Sequence, residues 1–266
     1  NSMVEYLSNN SLQINCYIYK VLIVISSLVN HLLSNYRSQI KESVISKIKA
    51  IRTLCYKIAI RFFNYSSHYN FSHDEIQSFF QCLVCPSLKH LENESLSTPS
   101  SLLKLLACWS TNTKYFQFLS KQCYPNQTLS PISVICSLYK NSKANSKVIS
   151  LITELLNNLV NNGIEKSVED EDMNESEENS NLGVDIIVPH ISNILIYFRG
   201  KFQREAKTGK RNNEFFNLTE LNILSRISEY VTFSEESSVL FNLLIASINK
   251  KQDEETQLQT LKTANV

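Results

Sequence analysis

The sequence predicts an all-α protein, a HEAT/armadillo-like α-solenoid of antiparallel helix pairs. Three observations lead there. Apolar residues recur at three- and four-residue steps along most of the chain, the spacing that lines one face of a helix. Helix-start signals stand ahead of several of these runs. Strict apolar–polar alternation between turn residues, the mark of a strand, is found nowhere, and four glycines among 266 residues leave little for hairpin turns and bulges.

The spacing predicts a first helix over 12–34, where the apolar stretch Ile14–Leu33 carries Asn15, Lys20, Asn30 and His31. Those polar residues argue for a buried helix rather than a membrane span. A second helix is expected over 37–64, with Val44, Ile48, Ile51, Cys55, Ile58 and Phe62 on one stripe. Ser72 with Glu75 forms a capping box that opens a helix over 73–91. Thr98-Pro99 places a cap ahead of a first-turn proline and starts a helix over 99–110, followed by one over 113–121. Ser130-Pro131 does the same for 131–140, and the helical period continues over 144–162 and 185–204. Asn217 with Glu220, and Thr232 with Glu235, repeat the box ahead of helices over 218–230 and 234–249. Pairing 73–91 with 99–121, and 185–204 with 218–230, gives units near the ~40–47 residues of HEAT or armadillo repeats.

Charge divides the chain. The net charge is +1, yet eight acids stand against Lys166 alone between Glu165 and Leu182, so the remainder carries +8. An Asn- and Ser-laced acidic run cannot bury enough apolar surface to offset its ordering entropy. The expected organisation is therefore a helical segment 1–164, an acidic disordered insertion 165–183, a continued helical segment 184–250 and a polar tail 251–266. The insertion reads as a solvated loop, as an attractor for a basic partner, or as a phosphorylation segment through Ser167, Ser176 or Ser180. The N-terminus shows no basic stretch or small-residue cleavage site of the secretory kind.

Candidate chemistry is sparse. None of the glycine motifs of nucleotide-binding loops or hydrolase elbows is present, and no cofactor is expected. Seven cysteines, an odd number mostly inside helical patterns, read as reduced and buried. Cys82 and Cys85 form a C-x-x-C, but no second knuckle accompanies them, so they read as core residues on one helix face rather than metal ligands. The histidines at 31, 68, 73, 90 and 190 are scattered, and no nucleophile–base set is legible, so no enzyme and no small-molecule substrate are expected. Trp109, Tyr115, Phe116 and Phe118 could stack on bases, but at helical spacing beside Leu102, Leu103, Leu105 and Leu106 they read as core. The cations of 37–64 spread around a solvated face. The segment holding Arg199, Lys201, Arg204, Lys207, Lys210 and Arg211 is denser, and Gly200 and Gly209 suggest a loop over 199–213. Phosphate contact, acidic-protein contact and simple solvation all remain open for it.

Two blocks carry a resemblance. Leu102-Leu103-Lys104-Leu105-Leu106-Ala107-Cys108-Trp109-Ser110, with Tyr115-Phe116-Gln117-Phe118-Leu119 after it, is a leucine-rich helix, a W-S pair and a following aromatic helix. Val188-Pro189-His190-Ile191-Ser192-Asn193-Ile194-Leu195 and then Leu221-Asn222-Ile223-Leu224-Ser225-Arg226-Ile227-Ser228 form the second. Together they resemble the DRIM family, the very large HEAT-repeat component of the small-subunit processome. The resemblance implies a non-catalytic nucleolar scaffold without metal or cofactor, whose partners are pre-ribosomal RNA and processome proteins. By the same resemblance the chain is a small part of a much longer protein. The rival expectation is a HEAT adaptor of the transport or phosphatase-scaffold type that binds proteins and no RNA.

Overall fold

A computed structural model describes residues 2–64, 71–125, 127–162, 182–208, 216–231, 237–240 and 242. Its helices are α1 (Ser2–Asn35), α2 (Glu42–Asn64), α3 (His73–Phe79), α4 (Cys85–Leu88), α5 (Leu91–Ser95), α6 (Ser101–Trp109), α7 (Phe116–Ser120), α8 (Pro131–Lys140), α9 (Ser146–Asn162), α10 (Leu182–Ile187), α11 (Ile191–Thr208) and α12 (Leu218–Ser228). A π-turn at Phe80–Val84 joins α3 to α4, and 3-10 turns at Thr113–Tyr115 and Val188–His190 lead into α7 and α11. Among the described residues there is no strand, and the all-α expectation holds.

Two rows of helices share one continuous apolar core that runs from Tyr19 to Leu240. In one row α2 packs on α6, α6 on α9 and α9 on α12; in the other α8 links α5 and α7 to α11. This order is consistent with a helical solenoid. The broadest packing of α11 and α12 is on α8 and α9, their counterparts one unit earlier, rather than on each other. Stacking of this kind is how a helix pair too small to enclose its own core buries it against a neighbour.

The start signals act largely as read. Ser72 and Glu75 exchange both bonds of a capping box, as do Asn217 and Glu220. Ser130 caps α8 with Ser133 as its reciprocal partner and Pro131 at the first turn. At α6 the cap is Ser100, whose Oγ accepts from the Leu103 N–H at 3.2 Å, not Thr98. The helix therefore begins at Ser101, two residues after Pro99, and Ser100 takes the extended cap conformation. The box expected at Thr232 and Glu235 lies outside the described residues, as do the acidic stretch 165–181 and the tail 251–266.

Three expectations about the N-terminal half need correction. The helix expected over 73–91 is broken by the π-turn, because Pro86 has no N–H to give the Cys82 carbonyl. Asn30 Nδ2 of α1 donates to that carbonyl at 2.7 Å, Ser87 Oγ donates to Asn30 Oδ1, and the Tyr56 hydroxyl donates to the Leu83 carbonyl at 3.0 Å. Leaving such a carbonyl buried and unpaired costs about 1–3 kcal/mol, so the kink fixes where α1 and α2 dock. Second, α2 buries Ile45, Ile48, Cys55, Tyr56, Ala59 and Phe63, while Val44, Ile51 and Ile58 of the expected stripe stand exposed with Leu54. The helix has apolar residues on two adjacent faces, and α1 and α6 cover only one. Third, α1 is not a buried helix: Tyr19, Leu22, Ser26, Val29 and Asn30 face the core, but Tyr17 and Val24 are 68% and 66% exposed, with Val21 and Leu28 beside them. By length and apolarity alone Tyr17–Asn35 and Leu182–Arg204 could each cross a membrane; the first packs along α2, and the second spans the 3-10 turn between α10 and α11.

Candidate nucleic-acid interface

The basic stretch singled out in the sequence falls on α11. This helix forms because Ile191, Ile194, Leu195 and Phe198 repeat at helical spacing and are buried against α8. It continues to Thr208, so the loop expected over 199–213 is helix for its first ten residues. One glycine inside a helix costs about 1 kcal/mol, less than the buried apolar stripe supplies, so Gly200 does not end it. Arg199, Lys201 and Arg204 are therefore held at fixed positions around the helix, Arg199 about 200° from Lys201 and Arg204 one turn beyond Lys201. Lys207 lies on α11 with its side chain outside the described residues, and Lys210 and Arg211 lie outside them altogether.

The three placed cations have different surroundings. Lys201 Nζ meets Glu220 Oε2 at 2.5 Å, and the Glu220 side chain is only 3% exposed. Glu220 sits at the third position of α12, where Oε2 also accepts the Asn217 N–H at 3.0 Å and Oε1 accepts the Tyr197 hydroxyl at 3.2 Å. Behind it the Tyr139 and Tyr197 rings lie 3.9 Å apart, and the Tyr139 hydroxyl shares a hydrogen bond with Thr153 Oγ1. Burial, with the Glu220 charge behind it, raises the Tyr197 hydroxyl above its ordinary value; burial and the Tyr197 charge do the same to Tyr139. Lys201 thus neutralises a buried carboxylate and ties α11 to α12. Arg199 and Arg204 are exposed, five residues and hence about 140° apart around the helix.

Arg204 and Lys201 edge an open cleft of about 610 Å³ between α9, α11 and α12, whose wall also includes Thr153, Glu154, Asn157 and Glu220. Two cations and two acids make it polar without a net charge from these groups. Among the described residues the arrangement can offer hydrogen bonds and isolated arginine contacts to phosphate, with Arg199 and Arg204 on different sides of α11. The meeting of Lys201 with Glu220 leaves no trace in local spacing: the two are 19 residues apart, and Glu220 reads in sequence only as a capping residue.

The remaining candidates resolve into packing. Trp109, Phe116 and Phe118 are fully buried and Tyr115 nearly so, with Phe63 5.4 Å from Trp109 and 5.1 Å from Tyr115 between ring centres, so they stack on one another and not on bases. Cys82 is half-buried within the π-turn and Cys85 buried just after it, and among the described residues no three His, Cys, Asp or Glu side chains gather as a metal site would require. Burial pushes the Cys108 thiol up to about 11 and Cys136 to about 12. Cys85 is raised first by its hydrogen bond to Cys123 and then by burial, while the same bond lowers Cys123. His190 is half-buried beside Pro189, and burial lowers its ring below the usual value.

Comparison with known families agrees with the resemblance carried by the two sequence blocks. The family described as U3 small nucleolar RNA-associated protein 20, N-terminal, matches residues 1–266. With an all-α stack of helices on one core and this match along its whole length, the chain belongs to that family of small-subunit processome components, which act in ribosome biogenesis and ribosomal RNA processing.

Proposed function

We propose that the chain is a non-catalytic scaffold segment of the nucleolar small-subunit processome, holding its neighbours through protein and pre-ribosomal RNA contacts. In this reading helical segments 1–164 and 184–250 form one unit interrupted by the acidic insertion 165–183. The observation that carries it is the apolar face left open on the first helix pair: Tyr17, Val21, Val24 and Leu28 on α1 beside Ile51 and Leu54 on α2. Large apolar side chains left exposed on two helices packed together mark a contact site, and processome proteins are its expected partners. Arg199, Arg204, Lys207, Lys210 and Arg211 supply RNA phosphate contacts, with Lys201 holding α11 and α12 in place.

The test is crosslinking and immunoprecipitation of the tagged native protein, with Val21→Glu/Val24→Glu and Arg199→Gln/Arg204→Gln variants alongside. The scaffold reading expects small-subunit precursor RNA and processome proteins with the wild type. It expects loss of proteins with the first variant and loss of RNA with the second. The engagement of Lys201 and the separation of Arg199 from Arg204 favour a second reading, an adaptor that docks through protein alone. Ribonuclease-insensitive association with no enriched RNA would select it.

A further inference from the structure

A second concentration of charge lies at the other end of the molecule, where α1, α2 and α5 meet at the Pro86 kink. A cavity of about 240 Å³ there is lined by Arg37, Lys49, Arg52, His90, Asn93 and Glu94, among others. Arg37 comes from the turn after α1, Lys49 and Arg52 from α2, and His90 and Glu94 from the kinked segment, so two parts of the chain bring permanent cations to one cavity and a third adds an acid and an imidazole. Glu94 is already bound to Arg52 at 2.7 Å, which holds the guanidinium, only 12% exposed, in the wall. Asn30, fixed between the Cys82 carbonyl and Ser87, closes the floor. Three permanent cations against one acid leave the lining at +2. Desolvation first, and then the fields of Lys89, Arg52 and Arg37, opposed only by Glu94, hold the His90 ring below its ordinary value, as expected in a positive cavity.

We propose that this cavity is a receptor for the phosphate of a phosphoserine or phosphothreonine side chain on a partner protein. A phosphomonoester carries about −1.5 to −2 charge at neutral pH and three acceptor oxygens, which match a +2 lining rich in donors. The arginine forks and the ammonium supply the charge-assisted bonds that such an anion needs. The volume fits a phosphate with its side-chain stem rather than a nucleotide. A single-stranded RNA phosphate fits less well, because a strand presents one charge per nucleotide and gains affinity from a row of cations. The other exposed cations of α2 do not extend such a row: at about 100° per residue, Lys47 and Arg61 fall across the helix from Lys49 and Arg52, and Lys57 is more than two turns away and about 80° off Lys49.

The experiment is a fluorescence anisotropy titration of the chain with three labelled probes: an Ala-Ala-phosphoserine-Ala-Ala peptide, its unphosphorylated twin and a uridine decamer. The phosphopeptide should bind at least about tenfold more tightly than its twin, and Arg37→Gln/Lys49→Gln should erase about that factor, the scale of lost charge-assisted bonds. Arg37 is exposed and Lys49 half-buried, so the variant should keep its fold, which circular dichroism checks. The charge-conserving swap Arg37→Lys/Lys49→Arg should retain most of the binding and so separates charge from an incidental structural effect. Equal binding of the two peptides overturns the proposal. So does a decamer that binds and is lost in the Gln variant while the phosphopeptide shows no such loss, which would assign the cavity to RNA.

Discussion

Gly183 gives the sharpest test of the packing. It opens α10 against the end of α9, and a Cβ built on it would stand 1.9 Å from the Leu159 carbonyl oxygen and 2.7 Å from the carbonyl carbon, with Phe116 Cε2 at 3.1 Å. Leu159 lies in the last turn of α9, where carbonyls lack a partner within the helix, which lets a glycine backbone come this close. Both clashing atoms are backbone, so no rotamer relieves the contact in Gly183→Ala, and α10 must retreat by more than 1 Å even to reach 3.0 Å, the closest approach a Cβ tolerates. That retreat loosens Val184, Ile186 and Ile187, all buried. Overpacking of this kind costs about 1–3 kcal/mol, and gaps of about 0.5–1 Å forfeit a quarter to a half of each dispersion contact they open. Alanine's better helix propensity returns about 1 kcal/mol, leaving a net loss of up to about 2 kcal/mol.

Gly200 is the internal control. Its Cβ would find only Arg204 Nη1, at an ordinary 3.6 Å, so Gly200→Ala should stabilise by about 0.5–1 kcal/mol through propensity alone. The assay is urea unfolding followed by far-ultraviolet circular dichroism and by fluorescence of Trp109, the single tryptophan, fully buried on α6 next to α9. Opposite shifts in the two midpoints are expected. A Gly183→Ala midpoint at or above wild type, or equal losses in both variants, would refute the close approach of α10 to α9.

Two further predictions concern buried ionisable groups. Lys201→Met leaves Glu220 buried with only the Tyr197 hydroxyl and Asn217 N–H as donors; removing one partner of a buried pair costs about 3–5 kcal/mol, and Lys201→Met/Glu220→Gln should recover most of it in the same urea assay. Cys136 is fully buried and its thiol is raised from 9.0 to about 12, so its contribution to stability is complete below pH 9 and is lost as pH rises toward 12. The loss runs at about 1.4 kcal/mol per pH unit, so stability at pH 10.5 should fall by about 2 kcal/mol on this account, and Cys136→Ala, though less stable at pH 8, should show a shallower decline. An unchanged decline would remove Cys136 as its source.

Local signals were legible where their chemistry is contained within a few residues. The boxes at Ser72 and Asn217, the proline-led start of α8 and the aromatic core around Trp109 all follow from spacing alone. What failed needed a neighbour from elsewhere in the chain. Which of two apolar faces α2 buries depends on where α1 and α6 lie, so Ile45 and Val44 could not be told apart by period. Pro86 marks a break, but only Asn30, some 50 residues upstream, shows how its orphaned carbonyl is satisfied. The six-cation segment looked like a loop because of its glycines, whereas the stripe from Ile191 to Phe198 carries the helix through Gly200.

Charge density in sequence and charge density in space come apart for the same reason. In the stretch 199–211, Arg199 and Arg204 are set about 140° apart around α11, and Lys201 between them is neutralised by Glu220. Around Pro86, Lys49 and Arg52, one turn apart on α2, meet Arg37 from the turn after α1 and His90 from the kinked segment some 40 residues on. A stack of helices therefore concentrates charge where same-face residues of one helix meet neighbouring segments, whatever the density along a stretch of sequence. The open apolar face of α1 and α2 obeys the complementary rule: burying it against a partner would yield about 25 cal/mol per Å², a non-directional gain that supplies affinity without choosing orientation. Selectivity on this segment then belongs to the converging cations at the kink, and bulk adhesion to the apolar helix pair beside it.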